Sequence, residues 1–347
     1  MSSSTNKPEM AVIIPTMGRD ILLRTLESIL ALKDLGRLEV VVVGIIPDPV
    51  VLEKFTTLMS AHPLIRHLNI RFEKGDASEK RNAGSRATVA PILAFLDDDV
   101  YVPPDWLDHM LACFENPEVG VVSGPSLVPD DISRFARLAG LALSSRAAGY
   151  VAERYGKGSS QPRFIKWSGI IGCNMLFRRS VFEELGGFDP DFYPGEEMRA
   201  SFLVSRKGYK LMFNPAAPVF HYPKQTFKGF WKQIYRYGAT RIRLIRSGVE
   251  VEPGPLVPGI WVLSLVVLGV GANWSSFLFY LLMLDLALYF LVIVWFTTEV
   301  VMKTRRAVDI WLLLVHPFMH LSYGVGMWFE ILRPDKDLSD ELGRPTN

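Results

Sequence analysis

Phe95-Leu96-Asp97-Asp98-Asp99-Val100 carries an apolar run from Ile92 into three consecutive carboxylates, and Pro103-Pro104 closes the element soon afterwards. A buried strand tipped with adjacent acids sets like charges side by side. That is unfavourable unless a cation or a basic partner compensates. A divalent metal holding a diphosphate is one such compensation. A solvated acidic turn or a helix N-cap is the plain alternative.

Upstream of this run, strands and helices alternate. Met10 to Pro15 is a short apolar strand leading into Thr16-Met17-Gly18-Arg19. Asp20 to Leu35 has apolar residues at helical spacing (Leu22, Leu26, Ile29, Leu30). Glu39 to Ile46 reads as a strand buried on both faces, Val51 to Met59 as a helix, Asn69 to Phe72 as a third strand and Ser78 to Thr88 as a helix. This alternation predicts an α/β fold, a mostly parallel sheet flanked by helices. In such sheets ligands sit at the carboxyl ends of the strands. Thr16, the loop around Asp76 and Asp97 to Asp99 all fall there.

Downstream, Val119 to Val122 is a further strand, and Asp130 to Ala148 is a helical stretch mixing Arg134, Arg137 and Arg146 with apolar residues. Gly149 to Arg163, with Gly156-Lys157-Gly158-Ser159-Ser160, reads as a mobile loop, either a lid or an inert surface segment. From Lys224 the character changes. Phe227, Phe230, Trp231, Ile234 and Tyr235 recur at helical spacing, with Lys228, Lys232, Arg236, Arg241, Arg243 and Arg246 between them. A basic amphipathic helix of this kind suits an anionic membrane surface.

Leu256 to Val270 and Phe277 to Phe296 are long apolar runs, and spanning a bilayer takes roughly 20 such residues. The linker Asn273 to Ser276 is uncharged, whereas Lys303, Arg305 and Arg306 follow the second run. Positive-inside logic makes the pair a hairpin with Lys303 to Arg306 in the cytoplasm. Asp285, well inside the second run, needs a partner or water. Ile310 to Leu332 is apolar but carries His316, Pro317, His320, Gly324 and Gly326; a tilted or interfacial helix is preferred over a third span.

The chain has 347 residues, a net charge of +2 and 49% hydrophobic residues. That charge gives no case for a nucleic-acid partner. The apolar excess lies after Pro253. Cys113 and Cys173 are the only cysteines, which is neither a disulfide framework nor a metal-ligand spacing, so a reducing compartment is expected. Met1 to Glu9 has no apolar signal region, so the soluble part is expected to stay in the cytoplasm.

Val12-Ile13-Ile14-Pro15-Thr16, Glu79-Lys80-Arg81-Asn82-Ala83-Gly84, Leu96-Asp97-Asp98-Asp99 and Gly186-Gly187-Phe188-Asp189 followed by Gly195-Glu196-Glu197 together resemble the ordered signature of family 2 glycosyltransferases of the GT-A fold. The likeness runs from about Ala11 to Tyr222. It implies transfer of a sugar from a nucleotide-sugar donor with inversion, using Mg²⁺ or Mn²⁺. It assigns Asp99, with Asp97 and His221, to the metal. Pro15, Thr16, Asp76, Arg81, Asp97, Asp98, Gly172 and Asn174 fall to the donor. Glu197 becomes the general base, beside Glu196, with Asp97 also at the reacting sugar.

Each assignment has a plain alternative. Glu196 and Glu197 also suit a helix N-terminus electrostatically. Arg81 could be a helix-surface arginine, Asn82 a cap, Trp167 a core residue rather than a sugar platform, and His221 a satisfied structural histidine. Gln233-Ile234-Tyr235-Arg236-Tyr237 resembles the Gln-x-x-Arg-Trp motif of processive synthases, in which Arg236 would clamp a phosphate; a membrane-facing basic residue is the preferred reading. Two departures stand out. The family's base-reading aspartate after the second strand is missing, unless Asp48 is a displaced version. Arg199 stands where an acid is common.

Taken together, the patterning and the resemblance give an expected flexible N-terminus over 1–10, a GT-A domain over 11–223, a basic interfacial helix region over 224–250, transmembrane or interfacial helices over 251–332 and a charged cytoplasmic tail over 333–347. The expected acceptor is membrane-associated: a polyprenyl-phosphate or polyprenyl-diphosphate glycan first, a glycolipid second. A processive polysaccharide synthase, a non-catalytic nucleotide-sugar scaffold and a nucleotidyltransferase are the rivals. The sequence leaves homo-oligomerisation open.

Overall fold

The computed structural model of the chain describes residues 7–72, 76–156, 161–192 and 194–333. In chain order its elements are β1 (Met10–Pro15), α1 (Ile21–Leu30), β2 (Leu38–Val43), α2 (Pro49–Ala61), β3 (Ile65–Leu68), α3 (Asp76–Arg86), β4 (Ile92–Leu96), β5 (Val100–Tyr101), α4 (Trp106–Ala112), β6 (Val119–Ser123), β7 (Ser126–Leu127), α5 (Arg134–Ser144), α6 (Ala152–Tyr155), β8 (Arg163–Phe164), β9 (Asn174–Arg178), α7 (Arg179–Glu184), α8 (Glu196–Arg206), β10 (Lys210–Phe213), β11 (Val219–His221), α9 (Phe227–Arg246), α10 (Val257–Gly271), α11 (Ser276–Thr304) and α12 (Leu312–Leu332). They form two units. The first runs to Pro129 and resumes over Glu153–Tyr222; the second comprises Asp130–Ala152 and the described residues from Pro223 on. The sequence reading left 130–152 inside the transferase domain, and the fold assigns it to the second unit.

In the first unit eight strands form one sheet in the order β3-β2-β1-β4-β9-β6-β10-β8. The run β3-β2-β1-β4 is parallel. The β9 strand is antiparallel to both its neighbours, β4 and β6, so the sheet is mixed at its centre. Phe95, Phe177, Phe182 and Phe188 pack below it, Phe95 lying 5.1 Å from Phe182 and from Phe188 between ring centroids. All four are buried. Burying one such ring stabilises by about 1.5–3 kcal/mol, so this cluster pins the strand that presents the acids.

A second, three-stranded sheet has the order β5-β11-β7. The three aspartates are thus the link between two sheets: β4 ends at Leu96 and β5 begins at Val100. His221 pairs with Val100 in the β11 to β5 register, which brings its ring beside the end of the acidic link.

Three expected boundaries shift. The second strand stops at Val43 because Gly44 turns at φ +137, where a Cβ would lie 2.2 Å from the Thr16 carbonyl. The third strand is Ile65–Leu68 rather than Asn69 to Phe72: pairing ends where β2 ends, with the Gly44 N–H donating to Leu68 O at 3.0 Å. The first helix ends at Leu30, five residues early. In the expected mobile loop, Arg163–Phe164 is a strand paired with β10. Residues 157–160, the centre of that loop, lie outside the described residues, as do 1–6 and the tail beyond 333.

In the second unit α9 packs along α12. Gly238 lies against the Tyr323 carbonyl and Gly326 against the Tyr235 carbonyl, where any Cβ would come within 2.0 Å. Small residues let the two backbones approach this closely. Phe230 and Trp231 meet Phe318 of α12. Of the stripe that the sequence assigns to a membrane surface, Phe230 and Ile234 are buried against protein and Trp231 and Tyr235 half-buried, while Phe227, Lys228, Lys232 and Arg236 remain exposed. The α5 helix joins the same bundle through an Arg137 to Asp309 ion pair and a Ser145 to His316 contact at 3.0 Å. Among the described residues three helical stretches are long and apolar enough to cross a membrane: Gly254–Gly271, Ser276–Thr304 and Ala307–Leu332. Asp285 finds its partner in Ser264, whose hydroxyl donates to Oδ2 at 3.2 Å.

Candidate active site

The three consecutive aspartates separate into three environments. Asp98 turns inward. Its Oδ2 accepts from the Thr16 hydroxyl at 2.7 Å and from the Met17 N–H at 3.1 Å, and Oδ1 pairs with Arg19. Asp99 lies between two basic groups, His221 Nε2 at 3.2 Å from Oδ1 and Arg19 at 2.9 Å from Oδ2. Burial works to raise the Asp99 carboxyl, but the His221 and Arg19 side chains outweigh it and hold it far below the usual carboxylate range. Asp97 is half-buried and accepts from Arg81 at 2.9 Å.

Asp97, Asp99 and His221 each offer a ligand atom, and these atoms all lie within 4.8 Å of one another. Two carboxylates and an imidazole form a donor set that suits a divalent cation of the manganese type; magnesium prefers oxygen alone. The backbone places them by simple means. Asp97 and Asp99 flank the turn from one sheet into the next, and His221 arrives on the neighbouring strand of the smaller sheet.

Arg81, on α3, is buried and bridges two acids, Asp97 and Glu196, the latter at 2.7 Å. Glu196 also accepts from the Gly195 N–H at 3.0 Å. Burial and the adjacent Glu197 push the Glu196 carboxyl up, against the pull of Arg81. Glu197 differs: it is half-buried, and among the described residues its carboxylate accepts no hydrogen bond. Gly172 faces it. A Cβ there would lie 3.6 Å from Glu197 Cγ and 3.8 Å from an Arg81 nitrogen, so the missing side chain keeps the approach to both open.

The fold therefore brings Asp97, Asp99, His221, Arg81, Glu196, Glu197 and Gly172 together. It gives other expected site residues different work. Thr16 is fully buried and its hydroxyl is committed to Asp98, so it orders the β1 to α1 turn instead of lining a base pocket. Asp98 is its partner in that task and is not part of the ligand set of Asp97, Asp99 and His221. Pro15 is the last residue of β1, paired with Val43. Asn174 is fully buried, bonded to Ala217 O and Trp106 Nε1, and holds β9 against its neighbours. Asn82 caps the Phe188 backbone in both directions, at 2.7 and 2.8 Å. Asp48 accepts from Val50 and Val51 N–H through Oδ1 as the N-cap of α2. Trp167 packs edge-on to Phe202 as part of the core. Arg236 is exposed on α9 in the second unit. Arg199 pairs with Asp189 at 2.6 Å, which accounts for an arginine in an acid's usual place. The side chain of Asp76 lies outside the described residues.

Sequence reasoning passed over three basic residues. Arg19 neutralises both Asp98 and Asp99. Lys80 donates to Thr16 O at 2.8 Å from a buried position. Arg24 lies over the rings of Tyr101 and Tyr222, at 4.7 and 5.2 Å, next to His221. The available signal was their position at the carboxyl edge of β1 or directly beside Arg81.

The parallel run of strands, the antiparallel β9 at its centre and the acid-tipped β4 define a fold of the GT-A type. It is shared with a mannosyltransferase from Pyrobaculum calidifontis solved in complex with GDP-Man and Mn²⁺, with a TM-score of 0.62 at 18% identity over 94% of this chain and 88% of that one. The profile of glycosyl transferase family group 2 matches residues 92–324, and the chain belongs to that family. Similar curated proteins include a pre-mycofactocin glycosyltransferase of Mycobacterium tuberculosis, 26% identical over 61% of this chain and 45% of its own length. A glucosyl-dolichyl phosphate glucuronosyltransferase of Haloferax volcanii is 26% identical over 44% of this chain and 43% of its own. The O-antigen biosynthesis protein RfbC of Myxococcus xanthus is 26% identical over 62% of this chain and 17% of its own. The chain spans less than half the length of each of these relatives.

Proposed function

We propose that the chain transfers a glycosyl unit, with inversion, from a nucleotide sugar to a membrane-associated acceptor, using the site around Asp97, Asp99, His221 and Glu197. The observation that carries this reading is the juxtaposition of a three-residue ligand set with a carboxylate that has no hydrogen-bond partner among the described residues. A divalent cation, Mn²⁺ before Mg²⁺, would be held by Asp97, Asp99 and His221 and would neutralise the departing nucleoside diphosphate as a Lewis acid.

Glu197 takes the proton from the attacking acceptor hydroxyl; its carboxylate is uncommitted and reachable past Gly172. Glu196 cannot do this work while Arg81 and the Gly195 N–H occupy it. Its role is to fix Arg81, which in turn orients Asp97. The Arg24, Tyr101 and Tyr222 cluster buttresses β11 and so the position of His221.

The three long apolar helices and the likeness to an enzyme named for a dolichyl phosphate support a lipid-linked acceptor, a polyprenyl phosphate or its diphosphate-linked glycan first and a glycolipid second. The Lys303 to Arg306 charges support catalysis on the cytoplasmic face.

The test is release of nucleoside diphosphate from a panel of nucleotide sugars, with Mn²⁺ or with chelator, with and without polyprenyl phosphate. Turnover of one donor that disappears with chelator and in Asp99→Ala is expected. Binding of donors without turnover of any would make the chain a non-catalytic binder.

A further inference from the structure

Within the second unit lies a cavity of about 620 Å³, a size typical of ligand pockets. Its walls are mainly apolar, with Leu288, Val292 and Phe296 of α11 and Met319 of α12 among them. On α11 the lining runs from Asp285 to Phe296, about 16 Å of helix at roughly 1.5 Å per residue. A bilayer's hydrocarbon core is about 30 Å thick, so the cavity reaches through about half of it. Three charged residues, Arg146, Glu252 and Asp285, join the lining.

Polar groups sit inside this apolar wall. Tyr289 Oη and His320 Nδ1 are 2.9 Å apart, and Trp261 stacks on Tyr289 at 3.8 Å. Tyr323 is 8% exposed, and its hydroxyl has no hydrogen-bond partner among the described residues; the Trp261 indole N–H has none either. An unsatisfied buried donor is unfavourable, and more weight attaches to it at membrane depth. Two such donors facing one cavity mark a place where a ligand oxygen completes the wall.

We propose that this cavity holds the hydrocarbon chain of a polyisoprenyl phosphate, with its first oxygen-bearing end toward Tyr323, Trp261 and Arg146. The inference rests on the lipid-linked acceptor of the proposed function. It assigns a binding site in the helical unit to that lipid.

Photo-cross-linking of the full chain in detergent tests it. The probe is a polyisoprenyl phosphate bearing a diazirine on its chain; a diazirine-labelled phosphatidic acid of similar length is the second arm. Expected are cross-links at the lining positions Leu288, Val292, Phe296, Met319 and Tyr323 that unlabelled polyisoprenyl phosphate competes away and phosphatidic acid does not. Val292→Trp, at a partly exposed lining position that tolerates bulk, should lower labelling at least about five-fold. Tyr323→Phe should weaken competition about ten-fold, the scale of one lost hydrogen bond. Labelling confined to the outward Phe290, Leu291 and Trp295, equal competition by phosphatidic acid, or indifference to both substitutions would overturn the proposal. Mn²⁺-dependent donor hydrolysis on the same samples separates the two readings: preserved hydrolysis with failed cross-linking removes the cavity alone, whereas absent hydrolysis in the unsubstituted chain removes the transferase reading.

Discussion

Arg81 illustrates how a single side chain ties the site together: fully buried, it answers Asp97 with one nitrogen and Glu196 with another. Arg81→Ala should leave Glu196 buried without its counter-ion and destabilise the chain by about 3–5 kcal/mol in a denaturant titration. A loss below about 1 kcal/mol would show that the pair is not structural. Glu197→Gln keeps the shape and removes the base, so transfer should fall roughly 10²–10⁴-fold with donor affinity unchanged; unchanged transfer kinetics would move the base elsewhere. At this scale the sequence was legible where chemistry concentrates charge. Asp97 and Asp99 stood out as adjacent acids on an apolar strand, and Glu197 as part of an acidic pair. Asp98 looked equivalent to its neighbours, because alternation of side chains along a turn is invisible until the backbone is placed. Arg19 escaped notice since a loop arginine carries no pattern of its own.

Between β4 and β5 only three residues intervene, and that connection decides the geometry of the ligand set. The β4 strand could be read from its run of Ile92 to Leu96. The β5 strand could not: two residues give no periodicity, and pairing with β11 comes from a partner 120 positions away. The same limit explains the misplaced third strand, whose span was set by the end of β2 and not by its own composition. Asp48 shows a different ambiguity, since an aspartate that caps a helix and one that meets a ligand read alike in sequence. Asp48→Ala should destabilise α2 by about 1 kcal/mol in thermal unfolding while donor affinity stays constant. A selective loss of affinity for one nucleotide would restore the base-reading role.

The whole molecule is interleaved: Asp130–Ala152 leaves the first unit and packs with helices that follow Pro223. Nothing in that segment announces this, because Arg134 and Arg137 among alanines and leucines describe a surface helix equally well, and the partner of Arg137 is Asp309, far along the chain. Truncation after Tyr222 should therefore expose Ala136, Ala139 and Leu143 and yield aggregated protein; replacing 130–152 by a short polar linker in the same truncation should restore a soluble, donor-binding unit. A monodisperse truncation with 130–152 intact would show that α5 does not need the bundle. The apolar character of α10 and α11, by contrast, was plain from composition, whereas α12, read as tilted or interfacial, is also long and apolar enough to cross a membrane. The most direct measurement is a Mn²⁺ titration of the full chain followed by electron paramagnetic resonance, with nucleoside diphosphate present. One bound ion per chain is expected, showing coupling to an imidazole nitrogen that His221→Ala abolishes and binding that Asp99→Ala removes. Unaltered Mn²⁺ binding in Asp99→Ala would contradict a metal centre at Asp97, Asp99 and His221.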